Sequence, residues 1–323
     1  MKRRLITLGA TAAALVVAGF LLVQFARSAE PAAVTKTGWL TDTLIAHRGI
    51  HDNDKDIIEN SMPAFEETVA RGYSIELDVQ LTKDKQLVVF HDKKLKRMFG
   101  KEEYLSDLTY QELSQLRLLA SDQSVPLFSE VLSFVDGKVP ILIEIKNEGE
   151  VGELESMLYE ELKGYNGQYA VQSFNPFSVK WFRDNAPEVL RGQLSGSIVV
   201  TDSDVEYAGT SRLPWYKQFL LSNLLLDFES KPNFIAYETE NVDAATMKNL
   251  RSLDVPVLGW VIDDEEEYES AKEYFDNFID FKENLENLLG RPVDLLENQA
   301  IRNPIFRKVV DRNKKLVYGR EGA

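Results

Sequence analysis

The 323-residue sequence predicts an α/β fold, a TIM-like (β/α)8 barrel, on three observations. After Thr41, short β-like runs alternate with amphipathic helical stretches, the pattern of βα units around a parallel sheet. One run follows its predecessor too closely for a crossover helix, and setting it aside leaves eight. The histidines and acids that interrupt the runs collect at their C-terminal ends, where a parallel barrel carries its chemistry.

The elements follow in chain order. Lys2, Arg3 and Arg4 precede an apolar stretch over 5–26, broken only by weakly polar residues such as Thr7, Thr11 and Gln24. It is long enough for a hydrocarbon core of ~30 Å. Positive charge ahead of it predicts N-in, C-out insertion. Residues 1–28 therefore read as a transmembrane helix serving as an anchor. The alternative is a signal segment, but Arg27 spoils the small-residue cleavage pattern around Ala26 and Ala29. Residues 29–41 read as a tether, and the catalytic part is expected outside the cytoplasm, membrane-anchored, or secreted if the segment is cleaved.

The barrel is assigned to 42–279, with strand candidates 43–47, 74–79, 87–91, 140–145, 169–173, 191–195, 234–238, 256–262 and 276–279. The gap 80–86 predicts a turn through Thr82, Lys83, Asp84 and Lys85, so 87–91 folds back instead of joining the barrel. Ser61 can cap a helix that Pro63 tolerates in its first turn, with Ala64, Phe65, Thr68 and Val69 facing inward and Gly72 ending it. Residues 196–233 are long for a barrel connection and predict a partly helical insertion near the active-site mouth or a membrane. Its Tyr207, Trp215, Tyr216 and Phe219 are expected to pack on the barrel, with lipid contact as the second reading. A short, mainly helical appendage is expected over 280–323.

Composition narrows the function classes. A net charge of -15 repels phosphate backbones, which argues against a nucleic-acid partner. No cysteine is present, which excludes disulfides, thiolate metal sites and a lipid-modified cysteine.

Glu76 and Asp78 stand two apart on a strand and share a face, opposite to Ile75, Leu77 and Val79. Two carboxylates aimed into a barrel repel unless a cation or proton lies between them. A divalent metal is the economical explanation, and Glu144, interrupting another apolar strand, is a third oxygen ligand. Such a set suits Ca²⁺ or Mg²⁺. Lys146, on Glu144's face, can neutralise that carboxylate or meet a phosphate. His47 and His91 can act as acid and base on opposite sides of a phosphorus centre, with Arg48 presenting a fork to anionic oxygens. His51, among Asp52, Asn53 and Asp54, reads as a solvated loop residue.

Taken together, His47-Arg48-Gly49, Glu59-Asn60-Ser61, Glu76-Leu77-Asp78-Val79, Leu81-Thr82-Lys83-Asp84, His91-Asp92, Glu144-Ile145-Lys146 and Gln172-Ser173-Phe174 resemble the glycerophosphodiester phosphodiesterases over about 41–279. The resemblance implies a barrel that hydrolyses glycerophosphodiesters to an alcohol and glycerol 3-phosphate. It makes His47 and His91 the acid/base pair, and Glu76, Asp78 and Glu144 the ligands of one divalent cation. Arg48 becomes a phosphate contact, with Glu59 and Lys146 in the polar shell. The substrate is then a glycerophosphodiester or a lysophospholipid-like relative, and a lysophospholipase D of the same fold or an impaired phosphate-binding barrel are the rivals.

Two segments depart from the family pattern. Gly259-Trp260-Val261-Ile262-Asp263 stands where the family usually has Trp-Thr-Val-Asn, which leaves Trp260 to line the substrate pocket and adds a charge at Asp263. The tail over 280–323 resembles a fragment of a minimal nucleotidyltransferase. Asp294 lacks the upstream Gly-Ser motif and paired aspartates, so no activity is expected of it.

Overall fold

The computed structural model describes residues 22–279 apart from 24, 54–56, 120, 241, 243, 263–267 and 269. The expected transmembrane stretch lies outside the described residues except for its last few, and so do Asp263 and the whole 280–323 tail with Asp294. Among the described residues no helix is long and apolar enough to cross a membrane.

The strands in chain order are β1 (Ile45–Ala46), β2 (Ser74–Leu81), β3 (Leu87–Val89), β4 (Ile141–Ile145), β5 (Tyr169–Ser173), β6 (Leu190–Ser195), β7 (Phe234–Glu238), β8 (Val257–Trp260) and β9 (Asn277–Phe278). All except β3 run parallel in the order β1-β2-β4-β5-β6-β7-β8-β9. A parallel bridge between Ile45 and Ile279 closes the barrel. β3 pairs antiparallel with β2, Val79 opposite Val89 and Leu81 opposite Leu87. The turn between them is too short for anything else: the Lys85 N–H donates to the Thr82 carbonyl at 3.0 Å.

Alternation along each strand divides the side chains. Ile75, Leu77 and Val79 of β2 and Ile141, Ile143 and Ile145 of β4 pack outward on helix residues Phe65, Phe128 and Val131. The opposite faces turn Glu76, Asp78, Leu142 and Glu144 inward. Leu142, Ala170, Leu190, Phe234, Ala236 and Leu258 fill the interior below the carboxylates. Phe234 fits because position 192 is glycine, where a Cβ would collide with its ring. The helix Met62–Arg71 forms as its sequence demands. Ser61 Oγ accepts from the Ala64 N–H, and Gly72 ends the helix in the left-handed conformation at φ 73°.

The stretch 29–41 is not a tether. The helix Val34–Asp42 buries Trp39 and Leu40 with Ile45, Leu190 and Phe234, closing the barrel at the N-terminal ends of its strands. Ahead of it, the Glu30 N–H donates to the Pro232 carbonyl at 2.9 Å and its carboxylate meets Arg191 at 2.5 Å. Asn233 Nδ2 donates to the Glu30 carbonyl at 2.7 Å. The long connection after β6 is partly helical as expected, with helices Trp215–Ser222 and Asp227–Ser230. Its aromatics divide: Tyr207 stacks under Lys96, whose Nζ lies 5.0 Å from the ring centroid, whereas Trp215, Tyr216 and Phe219 are exposed and overturn the expected packing.

Candidate active site

The register of β2 against β4 sets Asp78 beside Glu144. Glu76, Asp78 and Glu144 are all buried, and one oxygen from each lies within 4.8 Å of the others. Three carboxylates this close and this dry cannot all hold a proton-free charge without compensation. Burial, with Asp78 and Glu144 adding, pushes the Glu76 carboxyl well above the ordinary range. Burial and Asp78 carry Glu144 up to about 7 despite the pull of Lys146. Asp78 goes the other way: burial is outweighed by Lys146, His91, Arg48 and His47, which hold it below the usual range.

Lys146 supplies the nearest counter-charge. Its Nζ lies 2.6 Å from Glu144 Oε1 and 3.1 Å from Asp78 Oδ1. Of the two roles the sequence offers for Lys146, the structure displays the neutralising one. Asn60, held at φ 55°, donates from Nδ2 to Asp78 Oδ2 at 2.7 Å and fixes the carboxylate from the loop after β1.

That loop also carries His47, Arg48 and Gly49. Arg48 and Gly49 both take positive φ, 57° and 75°, and a Cβ at Gly49 would lie 3.0 Å from the Ala64 backbone. The turn returns the Arg48 N–H to Glu76 Oε2 at 3.0 Å and its guanidinium to Glu59 Oε1 at 2.8 Å, with Nε 3.6 Å from Asp78. Burial opposes the Arg48 charge, but Glu59, Asp78 and Glu76 more than restore it. Glu59 is likewise held far down by Arg48 and Arg97 against the effect of burial.

A continuous ionic chain joins this loop to the second histidine. Arg97 contacts Glu59 at 2.7 and 2.8 Å and Asp92 at 2.7 and 3.1 Å. Asp92 Oδ1 lies 2.6 Å from His91 Nδ1. Asp92 stays ionised below its usual range because His91 and Arg97 outweigh its burial. Burial, Arg48 and Lys146 push His91 down to about 4 although Asp78 and Asp92 oppose them. His91 is therefore neutral near pH 7, with Nδ1–H directed to Asp92 and Nε2 left to accept a proton. Gln80, on β2, clamps the same loop by donating to the carbonyls of Phe90, His91 and Asp92 at 2.8, 3.0 and 3.0 Å.

These positions bring His47, Arg48, Glu59, Glu76, Asp78, His91, Glu144 and Lys146 to one end of the barrel. A model for the glycerophosphoryl diester phosphodiesterase family matches residues 47–276. The chain belongs to that family. A glycerophosphodiester phosphodiesterase of Caldanaerobacter subterraneus subsp. tengcongensis is 34% identical over 163 residues, 47% of this chain and 65% of its own length. The chain thus spans about two thirds of that relative. The lysophospholipase D GDPD1 of Rattus norvegicus is 27% identical over 286 residues, covering 78% of this chain and 88% of that one. The structure of an Oleispira antarctica phosphodiesterase in complex with sn-glycerol-3-phosphate superposes with a TM-score of 0.60 at 21% identity, over 77% of this chain and 96% of that one. At that identity the likeness speaks for the barrel alone.

Within this family barrel, Trp260 ends β8 and sets its ring edge-on to Phe174, centroids 5.5 Å apart. Its indole N–H is buried with no hydrogen-bond partner among the described residues, a donor suited to a polar ligand atom. His51 corrects one expectation: it is half-buried, with Nδ1 2.9 Å from the Gly49 carbonyl, so it braces the turn that carries Arg48 instead of standing in solvent. Arg97 and Gln80 were not legible. Arg97 follows Lys93, Lys94 and Lys96 and reads as one cation of a solvated run, and Gln80 reads as an ordinary strand residue.

Proposed function

We propose that the protein hydrolyses glycerophosphodiesters to an alcohol and glycerol 3-phosphate. The observation that carries this reading is the cluster of Glu76, Asp78 and Glu144 beside His91 and Arg48 at the strand ends. Three buried carboxylate oxygens, two of them with raised pKa, fit one hard divalent cation, Ca²⁺ or Mg²⁺. When bound, the cation would offset the charge that builds on the non-bridging phosphate oxygens.

The chain's own groups do the remainder. Arg48, held by Glu59 and by its own N–H to Glu76, offers its guanidinium to the phosphate. His47 and His91 form the acid/base pair: one imidazole takes the proton of the attacking water, or of the neighbouring glycerol hydroxyl whose cyclic phosphate water then opens, and the other gives a proton to the leaving alkoxide. Asp92 keeps His91 in the tautomer that can accept at Nε2, as an orienting carboxylate does for other catalytic imidazoles. Phe174 and Trp260 form an aromatic wall for the organic part of the substrate. Lysophospholipids are a second substrate class, favoured by the lysophospholipase D relatives and by the exposed aromatics of the insertion. The apolar stretch behind Lys2, Arg3 and Arg4 supports a membrane anchor that leaves the barrel on the outer side.

The test is release of glycerol 3-phosphate from glycerophosphocholine and glycerophosphoethanolamine by the full chain in detergent. We expect turnover with added Ca²⁺ or Mg²⁺, loss with chelator, and a fall in kcat of about 10²–10⁴ for His47→Ala and for His91→Ala. Turnover that survives both chelation and the histidine changes would sink the reading. A folded, metal-treated protein that binds glycerol 3-phosphate yet turns over neither diester would be a phosphate-binding barrel.

A further inference from the structure

The insertion after β6 links the catalytic end of the barrel to the N-terminal apolar stretch. Its first part reaches the loop that follows His91: the N–H groups of Lys93 and Lys94 both donate to the Ala208 carbonyl, at 2.9 and 3.0 Å. Lys96 Nζ pairs with Glu206 at 2.9 Å. Its second part carries the helix Trp215–Ser222, pinned at its C-terminal end by backbone contacts. Ser195 Oγ donates to the Leu221 carbonyl at 2.8 Å and Tyr237 Oη to the Ser222 carbonyl at 3.1 Å.

The free face of this helix is aromatic. Trp215, Tyr216 and Phe219 fall within a sector of about 100° at helical spacing. They are 78%, 49% and 55% exposed. Three large rings on one side of a pinned helix form an apolar patch of the kind that marks an interaction surface.

The position of the N-terminal stretch identifies the partner. The described end of the apolar run, Leu22, Val23, Phe25 and Ala26, lies beside this helix through the contacts of Phe25 and of Arg27 that follows it. Arg27 donates from Nε to the Asn223 carbonyl at 2.8 Å and from Nη2 to Asn223 Oδ1 at 3.3 Å, immediately after Ser222. The Phe25 ring lies 5.7 Å from that of Phe228, while Leu22 and Phe25 stay 68% and 64% exposed. An apolar run entering a bilayer just before Arg27 brings the aromatic helix to the headgroup level, where Trp and Tyr rings settle.

We propose that Trp215, Tyr216 and Phe219, with Leu22 and Phe25, form a membrane-docking face that beds in the interface of a phospholipid bilayer. Through Ala208 and Glu206 the same insertion ties that interface to the His91 loop. A lipid with one glycerophosphodiester headgroup then reaches the site from the membrane without first crossing bulk water. This inference rests on the proposed anchor and phosphodiesterase activity.

The experiment uses the full chain reconstituted into phosphatidylcholine vesicles. Acyl-chain-brominated phosphatidylcholine should quench a tryptophan component that Trp215→Phe removes, since of the other three tryptophans Trp39 is buried and Trp181 and Trp260 are partly buried against the barrel core. In the same vesicles, the combined Trp215→Ser, Tyr216→Ser and Phe219→Ser variant should hydrolyse vesicle-borne lysophosphatidylcholine about tenfold more slowly than wild type. It should match wild type on soluble glycerophosphocholine. Quenching that Trp215→Phe leaves unchanged would overturn the docking face. So would a dimer in detergent that the triple variant abolishes, because the face would then belong to a second copy. If wild type cleaves neither substrate, the phosphodiesterase reading falls while the quenching still decides the docking.

Discussion

Asp227 shows how one residue outside the catalytic cluster can set a pH dependence. Its carboxyl is buried, and Oδ2 has no hydrogen-bond partner among the described residues. Burial pushes its pKa well above the unfolded value of 3.8, with Arg27 pulling back. A carboxyl raised on folding favours the folded state most at pH values below 3.8, and that contribution is lost as pH rises through the folded pKa. Asp227→Asn should therefore raise the melting temperature at pH 7 by a few degrees, the shift that about 1 kcal/mol gives in a domain of this size. The gain should vanish near the unfolded value, where both proteins carry a neutral group. Thermal melts at the two pH values test this, and an equal gain at both would assign the effect to shape instead of charge. Asp227 gave no signal in the sequence, since an acid beside Phe228 and Glu229 reads as solvated. Glu76, Asp78 and Glu144 were legible for the opposite reason: each breaks an otherwise apolar strand, so burial follows from the pattern itself. Arg97 lay between these cases, because only the fold reveals that Glu59 and Asp92 converge on it.

At the level of elements, periodicity and loop length carried most of the information. The seven residues of 80–86 suffice to predict that β3 turns back, and the antiparallel register follows. The helix Val34–Asp42 escaped because its sequence contains Gly38 and, among residues of low helix propensity, Val34, Thr35, Thr37 and Thr41. Its conformation is decided by burial of Trp39 and Leu40 beneath the strands, a tertiary effect that outweighs local preference. Leu40 is fully buried, so Leu40→Ala should cost about 2–5 kcal/mol. The urea midpoint reads this directly, and a loss below about 0.5 kcal/mol, the range of surface substitutions, would mean that the helix does not plug the barrel. The aromatics of 215–222 were misjudged by the same logic in reverse. Packing on the barrel is the first reading of the sequence, but the helix is held through backbone carbonyls and leaves Trp215, Tyr216 and Phe219 exposed.

The whole molecule is a ring of parallel strands whose last member must meet its first, and the closure is local to a few residues. Ile279 bridges Ile45, and Asn277 donates from Nδ2 to the carbonyls of Leu40 and Thr43 at 2.8 and 2.7 Å. Phe275 and Phe278 pack with Ile235 and Val257 on the outer face. Asp276 accepts from the Val257 N–H at 2.9 Å and pairs with Arg251 at 2.7 Å. These contacts complete the barrel by Ile279, and the site groups all lie upstream of it. A chain ending at 280 should therefore keep the wild-type melting temperature within about 1–2 °C, a shift smaller than 1 kcal/mol produces. Its rate of glycerol 3-phosphate release should also be unchanged. A chain ending at 274 loses β9, the Asn277 clamp and two buried rings, and should fail to fold cooperatively. The comparison of the two by circular dichroism melts and turnover locates the domain boundary. A large loss in the chain ending at 280 would assign the last 43 residues a part in the fold or the site, since 323 minus 280 leaves that number.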